Sequence, residues 1–216
     1  MNETVAITDP GVQGLLAEAS AWRLLGLLFE RPRDGWRQDV EALSRVVADS
    51  TLRSAAAAAQ EEASEGLYLA LLGPGGPVSP REVTYRGMEE PGHILADIRA
   101  FHDAFSFQPE TEEAPDHLSV EAGFLGYLCL KEAYARVRGN EEEAEIAAKA
   151  AAHFREAHLS AFAWPVAERL ETTNVRYLSL AATALAHRSG PRRDPGPAVK
   201  APLRLCDDCS MECAEE

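Results

Sequence analysis

The sequence predicts an all-α fold, a single-domain helical bundle of about seven to ten helices with one long internal loop and a flexible C-terminal tail. Three observations lead there. Apolar residues recur at three- and four-residue spacing through most of residues 11–187, which is the period of an amphipathic helix. No stretch alternates long enough to read as a half-buried strand. Glycine and proline gather in residues 73–92 and again from Arg188 onward, which divides the chain into a helical domain (1–187) and a tail (188–216).

In order along the chain, residues 11–30 carry Leu15, Leu16, Ala19, Trp22, Leu25, Leu28 and Phe29 at helical spacing, and Pro32 ends the run. Residues 35–48 repeat the pattern with Trp36, Val40, Leu43 and Val47. "TLRSAAAAAQEEASEGLYLALL" reads as a third helix, alanine-rich and of high intrinsic propensity. The loop at 73–92 follows; connections of that length inside a compact domain are uncommon and often functional, although a plain connection remains the alternative. Residues 93–107 place Ile94, Ile98, Phe101 and Phe105 on one face.

The next helix opens at "EEAPDHLSVEAGFLGYL", residues 112–128, and runs to about Arg138, where Gly139 and Asn140 stop it. Pro115 and Asp116 suit a first turn, the proline because its missing N–H is no loss there and the acid because of the helix dipole. Apolar residues then wrap around the helix, which marks it as central and buried. "EEEAEIAAKAAAHFREAHLSAFAW" starts with acids at its amino end, and Pro165 is expected to kink or end it. Residues 174–187 form the last helix, and the proline-, glycine- and charge-rich segment beyond it has no apolar period.

At 216 residues the chain supports one sizeable core. With 35 acidic against 21 basic residues the net charge is -14. That balance argues against a nucleic-acid partner, whose phosphates need clustered Lys and Arg, and favours a cationic one. The start "MNETVAITDPGVQG" lacks the features of a secretory signal. No apolar run approaches the ~20 residues that cross a bilayer. A cytoplasmic protein without a membrane partner is expected.

Neither a P-loop, a dinucleotide fingerprint nor a Gly-x-Ser-x-Gly elbow is present, so no catalytic residue is assigned and no enzyme is expected. Cys206, Cys209 and Cys213 are the candidates for a metal, zinc or an iron–sulfur cluster, with His187 as a distant fourth donor. Tetrahedral sites generally need four ligands, so an acidic tail with free thiols is the simpler reading. Glu110, Glu112, Glu113, Asp116 and Glu121 lie within twelve residues that contain no Lys or Arg. An acidic first turn stabilises a helix by itself, but this density exceeds what capping needs.

"EEAPDHLSVEAGFLGYL" resembles the E-x-P-D-H motif and following helix of the TorD/DmsD/NarJ family of redox-enzyme maturation chaperones. Upstream, "YLALLGPGGPVSPREVTY" is similar to that family's Tyr-x-x-Leu, Gly-Pro, Pro and Glu-x-x-Tyr run, and "FREAHLSAFAWPVAERL" to its His-Leu helix. The three lie in the family's order and spacing. Two departures stand out: Phe162 occupies the place of a family tryptophan, with Trp164 two residues later, and the cysteine-bearing tail has no counterpart in the pattern.

The resemblance implies an all-helical cytoplasmic chaperone that binds the apo catalytic subunit of a molybdoenzyme of the DMSO reductase type, through its N-terminal or twin-arginine signal segment, until the molybdenum cofactor is inserted. It further implies that Asp116 accepts a hydrogen bond from the client, that His117 shapes or senses the site, and that Glu113, Glu82 and Tyr85 flank it. A leader with paired arginines and an apolar stretch needs carboxylates beside an apolar groove, for which Tyr68, Leu71, Tyr85 and Phe124 are the candidate surface. No stably bound cofactor is expected; transient contact with the molybdenum cofactor or a nucleotide is left open. So is the choice between a monomer and a dimer swapped at the 73–92 loop. A generic helical interaction module is the alternative function.

Overall fold

The computed structural model describes residues 9–192. Among them are nine α-helical segments and no named strand, in keeping with the predicted all-α bundle. Helix α1 (Pro10–Leu28) is capped by Asp9, whose carboxylate accepts from the amides of Gly11 and Val12 at 2.8 and 3.2 Å. At its far end Leu24, Leu25, Leu27, Leu28 and Phe29 have no exposed area. That run alone supplies on the order of 10 kcal/mol of gross burial energy. Helix α2 (Trp36–Val46) locks onto it through Trp36, whose indole N–H donates to the Leu27 carbonyl at 2.8 Å.

The alanine-rich stretch expected as one helix is two, α3 (Ser50–Glu62) and α4 (Glu65–Leu72). Ala63 is extended, and the Ser64 hydroxyl accepts from the Leu67 amide at 3.2 Å. A serine offering its own local hydrogen bond outcompetes helix continuation there, whatever the alanines prefer. Arg37 of α2 holds the break by donating to the carbonyls of Ala59, Gln60 and Ala63.

The 73–92 segment is ordered by pairing rather than left open. It holds a single 3-10 turn, Glu82–Thr84, and an isolated antiparallel bridge from Arg81 to His117. Helix α5 (Pro91–Phe105) then begins with proline in its first turn. The central helix α6 (Leu118–Val137) starts only after Pro115 and Asp116, the residues expected in its first turn: His117 is its N-cap, accepting from the Ser119 amide. Gly139, at φ +72, ends it in the left-handed conformation.

Helix α6 lies along α1 and is flanked by α7 (Glu141–Phe154). The α1–α6 crossing is close enough that a Cβ on Gly26 would lie 2.9 Å from the Ser119 carbonyl oxygen. A π turn, Arg155–Leu159, joins α7 to α8 (Ser160–Glu171). Pro165 does not end α8. The neighbouring Phe162, Ala163 and Val166 are fully buried, and that packing outweighs the ~3 kcal/mol penalty of an interior proline. Helix α9 (Arg176–Ser189) packs on α3 and α8 and extends two residues past 187. Arg188 ties it to Glu18 and Asp49 at 2.6 and 3.0 Å.

Candidate functional site

The acid-rich entrance to α6 divides into an inner and an outer part. Asp116, expected to face a client, has no exposed area. Its Oδ1 accepts from Arg81 at 2.6 Å and its Oδ2 from the Val83 amide at 3.3 Å. Backbone bonds reinforce the pairing: the Glu82 amide donates to the Asp116 carbonyl at 3.0 Å, and the Leu118 amide to the Pro80 carbonyl at 2.9 Å. In this conformation Asp116 therefore holds the loop against the start of α6. The buried end of the pair is the carboxylate; the Arg81 side chain is 36% exposed.

Glu82 also has no exposed area. Its Oε2 faces His158 Nδ1 at 3.0 Å and its Oε1 faces Arg86 Nε at 3.3 Å. The π turn places His158 there, and its other ring nitrogen faces Asp97 of α5 at 3.3 Å. Loop, α5 and the α7–α8 junction thus meet at one imidazole. His158 was legible only as part of a His-Leu helix, because nothing local in the sequence marks the extra residue of the turn.

His117, itself a bridge residue, is also buried. Its Nδ1 accepts from the Ser119 amide at 3.2 Å and lies 2.7 Å from the Ser119 hydroxyl, which leaves Nε2 to donate to the Tyr68 hydroxyl at 3.2 Å. Tyr68 in turn reaches Glu113 Oε1 at 3.5 Å. Burial, and secondarily the charge of Arg81, push the imidazole down to about 4, so it is neutral near pH 7. His117 links α4, α6 and Glu113 without facing solvent.

Of the apolar surface candidates, Tyr68 and Phe124 belong to the core, Phe124 with no exposed area. Leu71 and Tyr85 are half-buried. Tyr85 donates to the Ser79 carbonyl at 2.8 Å, stacks on Phe162 at 5.8 Å and carries the Arg169 guanidinium 5.0 Å from its ring centre. The residue standing in the tryptophan's place is therefore the platform for the loop tyrosine. Trp164 instead donates to the Gly190 carbonyl at 3.0 Å and fastens the end of α9.

The outer part of the entrance lines two clefts. One, of about 850 Å³, lies between the α1–α2 turn, the start of α4 and residues 110–113, and Glu113 forms part of its wall. The other, of about 540 Å³, has Phe107, Val120, Tyr127 and Leu130 among its lining. Glu30, Arg33, Glu110 and Thr111 border both, so the two clefts adjoin along these residues. Arg31 pairs with Glu65, Arg33 with Asp39 and Glu30 with Arg23. Glu110 and Glu112 are exposed and have no cationic partner among the described residues.

Among the described residues no group of three or more His, Cys, Asp or Glu is placed to hold a metal ion. Cys206, Cys209 and Cys213 lie outside the described residues. No described helix is long and apolar enough to cross a membrane.

The sequence profile of the nitrate reductase delta subunit family matches residues 30–168. This chain belongs to that family. The match runs from the turn after α1 into α8, so it includes the loop, the Asp116 and Glu82 clusters and residues 110–113. Two relatives agree with it. The chlorate reductase assembly chaperone protein of Ideonella dechloratans is 32% identical over 168 residues, 74% of this chain and 80% of the relative. The selenate reductase assembly chaperone protein of Thauera selenatis is 32% identical over 184 residues, 80% of this chain and 89% of the relative. All of α1 and all of α9 fall outside the matched range, although Ala19 and Arg23 of α1 line the second cleft.

Proposed function

We propose that the protein is an assembly chaperone for the catalytic subunit of a molybdoenzyme-type reductase, acting in the cytoplasm on the apo-subunit while its cofactor is inserted. The observation that carries this reading is the similarity, over most of their length, to two assembly chaperones of oxyanion reductases. The client segment is an N-terminal one bearing arginines followed by apolar residues. It lies across the two adjoining clefts, its guanidinium groups on Glu110 and Glu112 and its apolar side chains over Phe107, Tyr127 and Leu130. Glu113 contacts the client directly. Asp116, His117, Glu82 and Tyr85 act from beneath, by fixing the loop and the 110–113 strip that form the wall.

Two charge-assisted contacts of about 1.5–3 kcal/mol each fall short of the roughly -8 kcal/mol of a micromolar complex, so the apolar floor must supply the remainder. Co-expression of a candidate reductase subunit, intact and without its N-terminal segment, tests the reading. The intact apo-subunit is expected to co-purify with the chain, and the truncated one to be lost from the complex. Equal recovery of both would exclude the N-terminal segment as the docking element; recovery of neither from any reductase would remove the chaperone reading.

A further inference from the structure

Glu121, in the first turn of α6, has no exposed area, and neither carboxyl oxygen meets a hydrogen-bond donor. Client binding makes no use of it. Its polar neighbour is the Glu82 side chain of the loop. Glu82 Oε2 is taken by His158, while its Oε1 has only Arg86 Nε at 3.3 Å, not aligned for a hydrogen bond. Two carboxyl groups without exposed area are therefore neighbours, each with an oxygen that no donor in the protein reaches. Ionised carboxylates are acceptors only, and an unpaired buried one is among the most costly groups a protein can hold. A single proton satisfies both: carried by Glu121, it is donated to Glu82.

We propose that the 73–90 loop is latched to α6 by a carboxyl–carboxylate pair in which Glu121 keeps its proton and donates it to Glu82, so that loss of this proton at rising pH releases the loop. The groups around the pair are Glu82, Arg81 and Arg86 from the loop, Asp116 from the segment before α6, His158 from the π turn and Asp97 from α5. Burial first, then the nearby Glu82 and Asp116 charges, hold the Glu121 carboxyl well above the usual carboxylate range, with Arg86 opposing. Ionisation sends the proton to solvent and leaves two carboxylates in contact. Their repulsion acts on Glu82, whose backbone amide carries one of the bonds between loop and Asp116.

The linkage has a definite sign. A carboxyl that holds its proton to higher pH in the folded than in the unfolded chain stabilises the fold fully below its ordinary value of 4.5. That contribution is lost as pH rises toward the folded value. For one proton the folding constant falls by up to about tenfold per pH unit between the ordinary value and the raised folded one.

Carbon-13 NMR of labelled glutamate carboxyls in the full chain, with amide hydrogen exchange at Glu82 and Val83, tests the latch. In the wild type one glutamate carboxyl should remain protonated at pH 7, and protection at both amides should fall as it ionises. The Glu121→Gln variant keeps a donor to Glu82 but has no proton to lose. It should lack that carboxyl signal, and its folding constant and amide protection should no longer fall tenfold per pH unit. An ionised signal from every glutamate at pH 7, or an unchanged slope in Glu121→Gln, would overturn the proposal. Should that variant fail to fold, the wild-type titration decides alone.

Discussion

Asp116 shows how one side chain acquires a role that its sequence position does not announce. Its neighbours read as a helix cap, yet the cap is His117, and the Asp116 carboxylate instead joins Arg81 and the Val83 amide from a loop more than thirty residues away. Removing one partner of a buried pair leaves the other uncompensated, so Asp116→Ala should lower unfolding free energy by about 3 kcal/mol. Asp116→Asn keeps an acceptor for Val83 and should lose less, about 1–2 kcal/mol. Urea midpoints at constant m-value distinguish the two. Equal and small losses would mean that the pair does not hold the loop. Glu110 and Glu112, close by in sequence, have no such duty, and their replacement by Gln should leave stability within about 0.5 kcal/mol.

At the scale of elements, the α1–α6 contact is the most sensitive. Gly26→Ala would set a Cβ 2.9 Å from a backbone oxygen that cannot swing aside, and the helices would have to separate. A loss of about 1–3 kcal/mol is expected, the usual range for overpacking. Gly123 faces the second cleft, with nothing within 4 Å of where its Cβ would be. Gly123→Ala should therefore raise the melting temperature slightly, by the equivalent of about 0.5–1 kcal/mol of helix propensity. The opposite order of the two melting temperatures would contradict the close crossing. Element positions were legible because the apolar period is strong in α2 and α5 and apolar residues are dense in α1 and α6. The Ser64 break and the π turn at 155–159 were not, since a single competing hydrogen bond and one inserted residue leave a three-to-four spacing almost unchanged.

For the whole molecule, buried histidines and Glu121 set opposing pH slopes. Burial pushes both His102 and His117 down to about 4. The unfolded chain takes up these protons first, so their contribution is present above about pH 6.5 and is lost as pH falls toward 4, by about 1.4 kcal/mol per pH unit for each group. Glu121 acts in the other direction, and above about pH 9 the thiol of Cys129, pushed up to about 11 by burial, adds to the alkaline loss. Stability should therefore peak near pH 6.5, and a monotonic profile between about pH 5 and 8.5 would contradict the assignment.

The candidate site was half legible at this scale. Composition placed acids together, and the motif order pointed to the loop and the start of α6, but a carboxylate that anchors a loop and one that faces a groove look alike in sequence. Only the tertiary pairing separates Asp116 and Glu82, which are buried, from Glu110 and Glu112, which border the clefts. The central claim is that these outer acids receive an arginine-bearing segment. Calorimetric titration with a peptide carrying two adjacent arginines before an apolar stretch tests it most directly, using wild type and the Glu110→Gln/Glu112→Gln double variant at low and high salt. The account predicts an affinity at least about tenfold weaker for the variant and a smaller salt dependence. The same dissociation constant and salt response in both proteins would contradict it.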